Sequence, residues 1–276
     1  MSDENSEKID RRGIMTVVLI FGGLFAMLLI FSFVLITAFG EDSDLGVGSG
    51  GKIGVIEVKG PITESKKIVE DIRRFEDKKS IKAIVVRIDS PGGAVAPSQE
   101  MYQAVMRAGK KKPVAASMGS TAASGGYYIA IGADKIYANG GSITGSIGVI
   151  SQLFNVQGLL DKVDVKVNTV KTGKYKDAGS PFRDFDPADR QYFQDLITDI
   201  YDQFVEDVAE RRELELAEVR ELADGSVYTG RQAKELELVD EIGTFHDTVQ
   251  YLKEEAGIEG DADLVYPPKE EMGFLS

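Results

Sequence analysis

Residues 14–39 read IMTVVLIFGGLFAMLLIFSFVLITAF, 26 positions without a charge. A helix that is apolar on every side offers no face to water and must be covered by protein or by lipid. At 1.5 Å per residue this run exceeds the roughly 20 residues needed to cross a bilayer. Gly22 and Gly23 are tolerable within it, because the backbone bonds stay internal. A cleavable signal is the competing reading, and Ala38-Phe39-Gly40 resembles a small-x-small cleavage site. A signal's apolar core spans only about 7–15 residues, however, so a retained anchor is expected. Lys8, Arg11 and Arg12 precede the run, and Glu41, Asp42 and Asp44 follow it. Positive residues stay inside, which puts the N-terminus in the cytoplasm and the bulk of the chain outside it. The expected division is a cytoplasmic N-terminus (1–13), a transmembrane anchor (14–39) and a flexible Gly/Ser/Asp tether (40–51). One folded domain (52–255) follows, then a loosely held tail (256–276) containing Pro267-Pro268.

Composition removes several classes of chemistry. The 276 residues include 45 acidic and 32 basic side chains, a formal charge of −13. Nucleic-acid binders carry clustered Lys and Arg, so no nucleic-acid partner is expected. The chain has no Cys, which excludes disulfides, a thiolate nucleophile and Cys-ligated zinc. Its one histidine, His246, excludes a multi-His metal site. Neither a metal nor a cofactor is expected.

The soluble part alternates strand and helix signals. Lys52–Val58, Ile81–Ile88 and Pro113–Met118 read as apolar, β-branched strands stopped by turn residues. Ile68, Ile72 and Phe75 recur at helical spacing between the first two. Met101, Tyr102, Val105 and Met106 mark a second helix started by Pro97-Ser98. Near-continuous apolar strands joined by helices imply right-handed parallel crossovers in an α/β fold. Lys135–Ala138, Val149–Phe154 and Val163–Val170 look like further strands. Asp186-Pro187 opens a long helix whose stripe of Phe193, Leu196, Ile197, Ile200, Phe204 and Val208 reads as core or subunit packing. Thr229-Gly230 starts another helix.

Two glycine-rich turns follow strands, Ser90-Pro91-Gly92-Gly93 and Ala122-Ala123-Ser124-Gly125-Gly126. Neither is a phosphate loop, since G-x-x-x-x-G-K-[ST] is absent and neither gives G-x-G-x-x-G. Glycine lets another backbone or a ligand come close, and two such turns at adjacent strand ends could bind an oxyanion. Ser124 reads either as a helix cap or as a nucleophile whose neighbour Gly125 donates an amide to the oxyanion. Ser120 competes with it but has one flanking glycine only. The base is His246, in a polar patch that reads as surface, or a lysine among Lys171, Lys174 and Lys176. A lysine base must be neutral, whereas at the reference pKa of about 10.4 only about one in a few thousand is neutral at pH 7. Burial beside the nucleophile is what supplies such a shift. The one S-x-x-K spacing, Ser49 to Lys52, falls in the tether and is discounted.

At these residues the chain resembles the SppA-type signal peptide peptidases, membrane-anchored Ser–Lys proteases of the ClpP/crotonase superfamily. The resemblance runs from about Lys52 to Lys253. It is carried by Arg87-Ile-Asp-Ser-Pro-Gly-Gly93, Ser117-Met-Gly-Ser-Thr-Ala-Ala-Ser-Gly-Gly-Tyr-Tyr128, Thr144-Gly-Ser-Ile-Gly-Val149 and Val227-Tyr-Thr-Gly-Arg-Gln-Ala233. It implies a ClpP/crotonase-like α/β fold of stacked, mainly parallel sheets with flanking helices. By position, Ser124 matches the family's nucleophile and Lys176 its general base. Gly93 and Gly125 match the oxyanion donors, and Ser146 the serine that helps hold the lysine amine. The family's substrates are remnant signal peptides and other apolar polypeptide stretches. Short members assemble as homo-oligomeric rings, an octamer by resemblance, with the two halves of the dyad coming from neighbouring protomers.

Two other readings share the fold: a crotonase-type acyl-CoA enzyme, whose glycine turns would stabilise a thioester enolate, and a non-catalytic membrane scaffold. An external location argues against the first. One residue departs from the family pattern. Glu237 stands where Gly or Asn is common, and it would cost about 1 kcal/mol in a left-handed helix cap.

Overall fold

The computed structural model describes residues 21–32, 34 and 51–268. Residues 21–32 are helical (α1), with side chains such as Phe25, Met27 and Ile30 exposed. The rest of the expected anchor, the N-terminus 1–13 and the tether through residue 50 lie outside the described residues. Among the described residues no helix is long and apolar enough to cross a membrane.

From residue 51 onward the chain builds one sheet. Strand β1 (Lys52–Lys59), helix α2 (Lys66–Asp77), β2 (Ile81–Ser90), α3 (Val95–Gly109) and β3 (Val114–Ala123) follow in order, with β1, β2 and β3 parallel. Both sheet faces are covered, which is why these strands are apolar at nearly every position. Ile56, Val58, Ile84, Val86 and Ile88 pack with Ile72 and Phe75 of α2 and with Met101 and Val105 of α3. On the other face Ile53, Val55, Val85 and Ala115 meet Val249 and Leu252 of the C-terminal helix. Helix α3 begins at Val95 with Ala94 as its cap, not at Ser98, whose hydroxyl donates back to the Ala94 carbonyl at 2.9 Å.

At β3 the sheet forks. The first half of β3 pairs with β4 (Lys135–Ala138), which in turn pairs with β7 (Glu241–Ile242). The second half pairs with β5 (Ile143–Gly145), whose other edge takes β6 (Val227–Thr229) in the sheet's antiparallel pairing. Ser142 Oγ donates to the Gly119 carbonyl at 2.6 Å and Thr144 Oγ1 to that of Ala122 at 2.7 Å, stitching β5 to this half of β3. Short α4 (Gly125–Ala130) follows β3 directly. The outer segments supply α5 (Gln157–Lys162), α6 (Pro187–Arg212), α7 (Leu216–Leu222), α8 (Gly230–Glu235) and α9 (Phe245–Glu255).

Three expectations need correction. Val149–Phe154 and Val163–Val170 are not strands, and neither finds a sheet partner among the described residues. Their apolar side chains stay in solvent, with Ile150 82%, Phe154 80% and Val170 100% exposed. The tail is not loose throughout, because Asp263–Val265 forms β8 and pairs in parallel with β1 at the sheet edge. A domain boundary at 255 therefore leaves out one strand. The stripe on α6 divides: Phe204 and Val208 are core, whereas Ile197 faces the cleft and Ile200 the smaller recess described below.

Glu237 does adopt the left-handed conformation, at φ 59°, just past the end of α8. Its carbonyl accepts from Arg212 Nε at 2.8 Å, a bond that any residue would keep. Glu237→Gly should therefore raise stability by about 0.5–1 kcal/mol, the left-handed strain relieved less the entropy of an added glycine. The midpoint of a denaturant titration measures this, and an unchanged midpoint would show that the turn bears no strain.

Candidate active site

Ser124 occupies the turn between β3 and α4, at φ 52° and ψ −121°. A non-glycine residue held there costs on the order of 1–3 kcal/mol, so its surroundings must fix it. They do so through backbone on both sides. The Ser124 amide donates to the Gly145 carbonyl at 2.8 Å, and its carbonyl accepts from the Tyr128 amide at 2.9 Å. Its side chain makes no cap hydrogen bond to the helix that it precedes. The helix-cap reading of this serine therefore fails, and the residue lines the cleft described below.

The helix behind it is bolted down. All six residues of α4 are buried. The Tyr127 hydroxyl donates to the Leu238 carbonyl at 2.9 Å. Tyr128 stacks on Phe204 of α6, centroids 4.3 Å apart, and its hydroxyl donates to the Asp207 carboxylate. Burial pushes both phenols up from their ordinary range, and for Tyr128 the carboxylate adds to that.

The glycines are there because chains cross at close range. A Cβ on Gly92 would stand 2.6 Å from the Gly125 nitrogen and 2.9 Å from Ser124 Cβ. One on Gly125 would meet Ser98 Oγ at 2.3 Å, and one on Gly93 the Ile62 carbonyl oxygen at 2.1 Å. Ile62 bridges this turn, donating to the Gly92 carbonyl at 2.9 Å and accepting from the Ala94 amide at 2.8 Å. The Gly93 amide is left out of that bridge, and the Gly125 amide heads α4. Neither donates to a protein acceptor among the described residues.

Gly93, Ser124 and Ser146 line one open cleft of ≈ 750 Å³, with Val149, Ile150 and, from α6, Gln194, Ile197, Thr198 and Tyr201. Ser146 sits at φ 50°, its amide donating to the Ser226 carbonyl at 2.7 Å. A smaller recess beside Ser124 and Gly125 is walled by Val95, Ser98, Tyr128, Val149, Ile200 and Phe204. Among the described residues, Asp224 is the one charged residue on the cleft wall. Hydrogen bonds from the Ser226 hydroxyl and amide hold its carboxyl below the usual carboxylate range. The rest of the wall is apolar or uncharged, a surface suited to an extended, mostly apolar chain.

Of the five residues singled out from sequence, Gly93, Ser124 and Ser146 thus line the cleft, and Gly125 lines the recess that shares Gly93 and Ser124 with it. Lys176 does not join them within the chain. It is exposed in the loop 171–180 and lines neither the cleft nor the recess. Its two rivals are occupied, Lys171 Nζ by Asp177 Oδ1 at 2.5 Å and Lys174 Nζ over the Tyr175 ring at 4.9 Å. Lys176 has no polar partner among the described residues. His246 is exposed on α9, and the neighbouring Asp247 carboxylate is spent on capping, accepting from Thr244 N and Oγ1 at 2.7 Å each. Ser120 is exposed on β3, away from the cleft wall. Sequence reasoning missed the recess, whose walls come from four separate segments. Ser98 was visible only as a helix-start residue.

Comparison with known proteins gives these residues a context. The model of peptidase family S49 matches residues 107–259, and that of the Clp protease family matches residues 52–139. The chain is 45% identical over 223 residues to a candidate protease of Synechocystis sp., which covers 79% of this chain and 80% of that one. It is 38% identical over 216 residues to a candidate signal peptide peptidase SppA of Enterococcus faecium, covering 78% and 60%. A chloroplastic serine protease, SPPA of Arabidopsis thaliana, is 33% identical over 226 residues, covering 79% of this chain and 33% of the relative. The chain thus spans three fifths and one third of the last two. The α/β fold with its mixed sheet is ClpP-like. The chain belongs to peptidase family S49 and is a serine peptidase.

Proposed function

We propose that the chain is a membrane-anchored endopeptidase working through a Ser–Lys dyad, with Ser124 as nucleophile and Lys176 as general base. The observation that carries this reading is Ser124 itself, a strained residue whose side chain makes no cap hydrogen bond and which lines a cleft. The neutral Lys176 amine takes the Ser124 proton as Oγ attacks the peptide carbonyl. The uncommitted Gly93 and Gly125 amides receive the oxyanion. The protonated lysine then gives its proton to the departing amine, and water activated by the same amine hydrolyses the acyl-enzyme. Ser146, on the cleft wall, helps hold the amine.

Because Lys176 is absent from the cleft of its own chain, the lysine is supplied by a neighbouring copy in a homo-oligomeric ring. The uncovered apolar side chains of 149–170 support such an assembly. An octamer is the size that family resemblance suggests. Substrates are remnant signal peptides and other apolar polypeptide segments, which an almost uncharged cleft suits. Residues 14–39 anchor the chain with its N-terminus cytoplasmic and the domain from residue 52 outside, tethered by 40–51. The uncharged run and its flanking charges support this topology.

An active-site-directed fluorophosphonate followed by peptide mass spectrometry tests the assignment. The expected result is one adduct, on Ser124. An adduct on Ser120, or none on a preparation that cleaves protein, would overturn it.

A further inference from the structure

Both neighbours of Lys176 in the chain are tied to the same helix. On one side Tyr175 stacks on Tyr192 of α6, centroids 4.8 Å apart and planes within 13°. On the other side Asp177 is gripped by Arg183, which reaches on to Asp189 in the first turn of α6. The Arg183 guanidinium makes a two-pronged contact with Asp189, Nη1 to Oδ2 at 2.5 Å and Nη2 to Oδ1 at 2.9 Å. The Asp189 side chain is 3% exposed. Nη2 also donates to the Asp177 carbonyl and to Asp177 Oδ1, each at 3.2 Å, and Nη1 donates to the Asp184 carbonyl at 2.8 Å. Nε lies 3.2 Å from Asp177 Oδ2. Lys171 closes the cluster from the far side of the loop by pairing with Asp177.

One planar cation therefore fastens the loop at the residue after Lys176 to a helix start that is itself capped. Asp186 Oδ1 accepts from the Ala188 and Asp189 amides at 2.8 Å each. A planar fork fixes direction as well as distance, which a lysine ammonium in its place would not. Further along, α6 carries Gln194, Ile197, Thr198 and Tyr201 on the cleft wall. The helix that shapes the cleft and the loop that bears Lys176 are thus joined through Arg183.

We infer that Arg183 is a positioning residue for Lys176, holding the loop through Asp177 and Asp189 so that the amine is presented in one direction. This rests on Lys176 being the general base. The misplacement of a catalytic group by about 1 Å can cost about 100-fold in rate. An ion cluster that only stabilised the fold would act on stability and leave turnover per folded molecule unchanged.

The test is steady-state hydrolysis of a fluorogenic peptide by the full-length oligomer carrying Arg183→Gln, Arg183→Lys, Asp177→Asn or Lys176→Ala, with thermal midpoints taken alongside. Arg183→Gln should lower kcat by about 10- to 100-fold at nearly unchanged KM. Arg183→Lys should recover part of that loss, since it keeps the charge without the fork. A folded Arg183→Gln protein with wild-type kcat overturns the inference. So does a loss that follows the thermal midpoint and disappears once activity is scaled to folded protein. Should Arg183→Gln fail to fold, Asp177→Asn decides. A several-fold loss of kcat at constant KM upholds the inference, and wild-type kcat overturns it. Lys176→Ala reads separately, because wild-type turnover in that variant removes the base assignment whatever Arg183 does.

Discussion

Ser124→Ala should lower turnover on an unstructured protein such as casein by about 10⁴-fold or more, while the folded state is unchanged. The structural half of this expectation follows from the turn. Alanine keeps the Cβ, so the strain at φ 52° is the same in both proteins. The hydroxyl makes no cap bond, so no such bond is lost with it. The bonds that fix the turn, to Gly145 and Tyr128, are backbone bonds and survive. The chemical half follows from covalent catalysis, in which no other group can stand in for the attacking oxygen. Initial rates and a thermal melt on the same preparation check both halves. Full activity in the alanine variant would end the nucleophile assignment, and a large fall in melting temperature would show that the hydroxyl has a structural task.

Lys176→Ala should be as inactive as Ser124→Ala, and the two inactive proteins should rescue each other when assembled together. The reasoning starts from the position of Lys176, which lies exposed and off the cleft wall of its own chain. If a neighbour provides the amine, a Lys176→Ala chain still offers its serine and a Ser124→Ala chain still offers its lysine. In a randomly mixed ring about a quarter of the interfaces pair an intact serine with an intact lysine. Mixing after dissociation and reassembly should therefore restore about a quarter of wild-type activity, read as hydrolysis per total protein. If serine and lysine belong to one chain, every mixture stays inactive.

The parts of the fold legible in the sequence were those whose hydrogen-bond partners lie in nearby repeats of strand and helix. Strands β1 and β2 and the start of β3 are buried on both faces, and their β-branched runs announce it. The second half of β3 does not, because Gly119, Ser120 and Thr121 have the composition of a turn. It is a strand only because β5 is stitched alongside it through Ser142 and Thr144. Val149–Phe154 and Val163–Val170 show the opposite failure. Their residues are strand-forming, yet a strand exists only where a second edge meets it, and none among the described residues does. Strand β8 was lost for want of signal, since three residues in a Gly- and Asp-rich stretch carry no periodicity.

The candidate site was legible in a similarly uneven way. Glycine pairs at Gly92-Gly93 and Gly125-Gly126 announce close backbone approach, and the structure finds it at both. Choosing between a capping and an attacking serine at position 124 needed the geometry of the side chain. The recess beside it could not be read, because Val95, Tyr128, Val149 and Ile200 are ordinary core types until the fold brings them to one place. The clamp around Arg183 was equally silent. Asp177, Arg183 and Asp189 stand six residues apart each, a spacing that belongs to no regular element.

The backbone of Ser124 also bears on how the protein can be engineered for durability. Its conformation draws about 1–3 kcal/mol from a net stability that for folded domains is only about 5–15 kcal/mol. Glycine would relax that turn and disarm it in the same step. Directed evolution screened on heat resistance alone will thus favour a robust but inert catalyst, and selection for shelf life has to be coupled to a turnover assay.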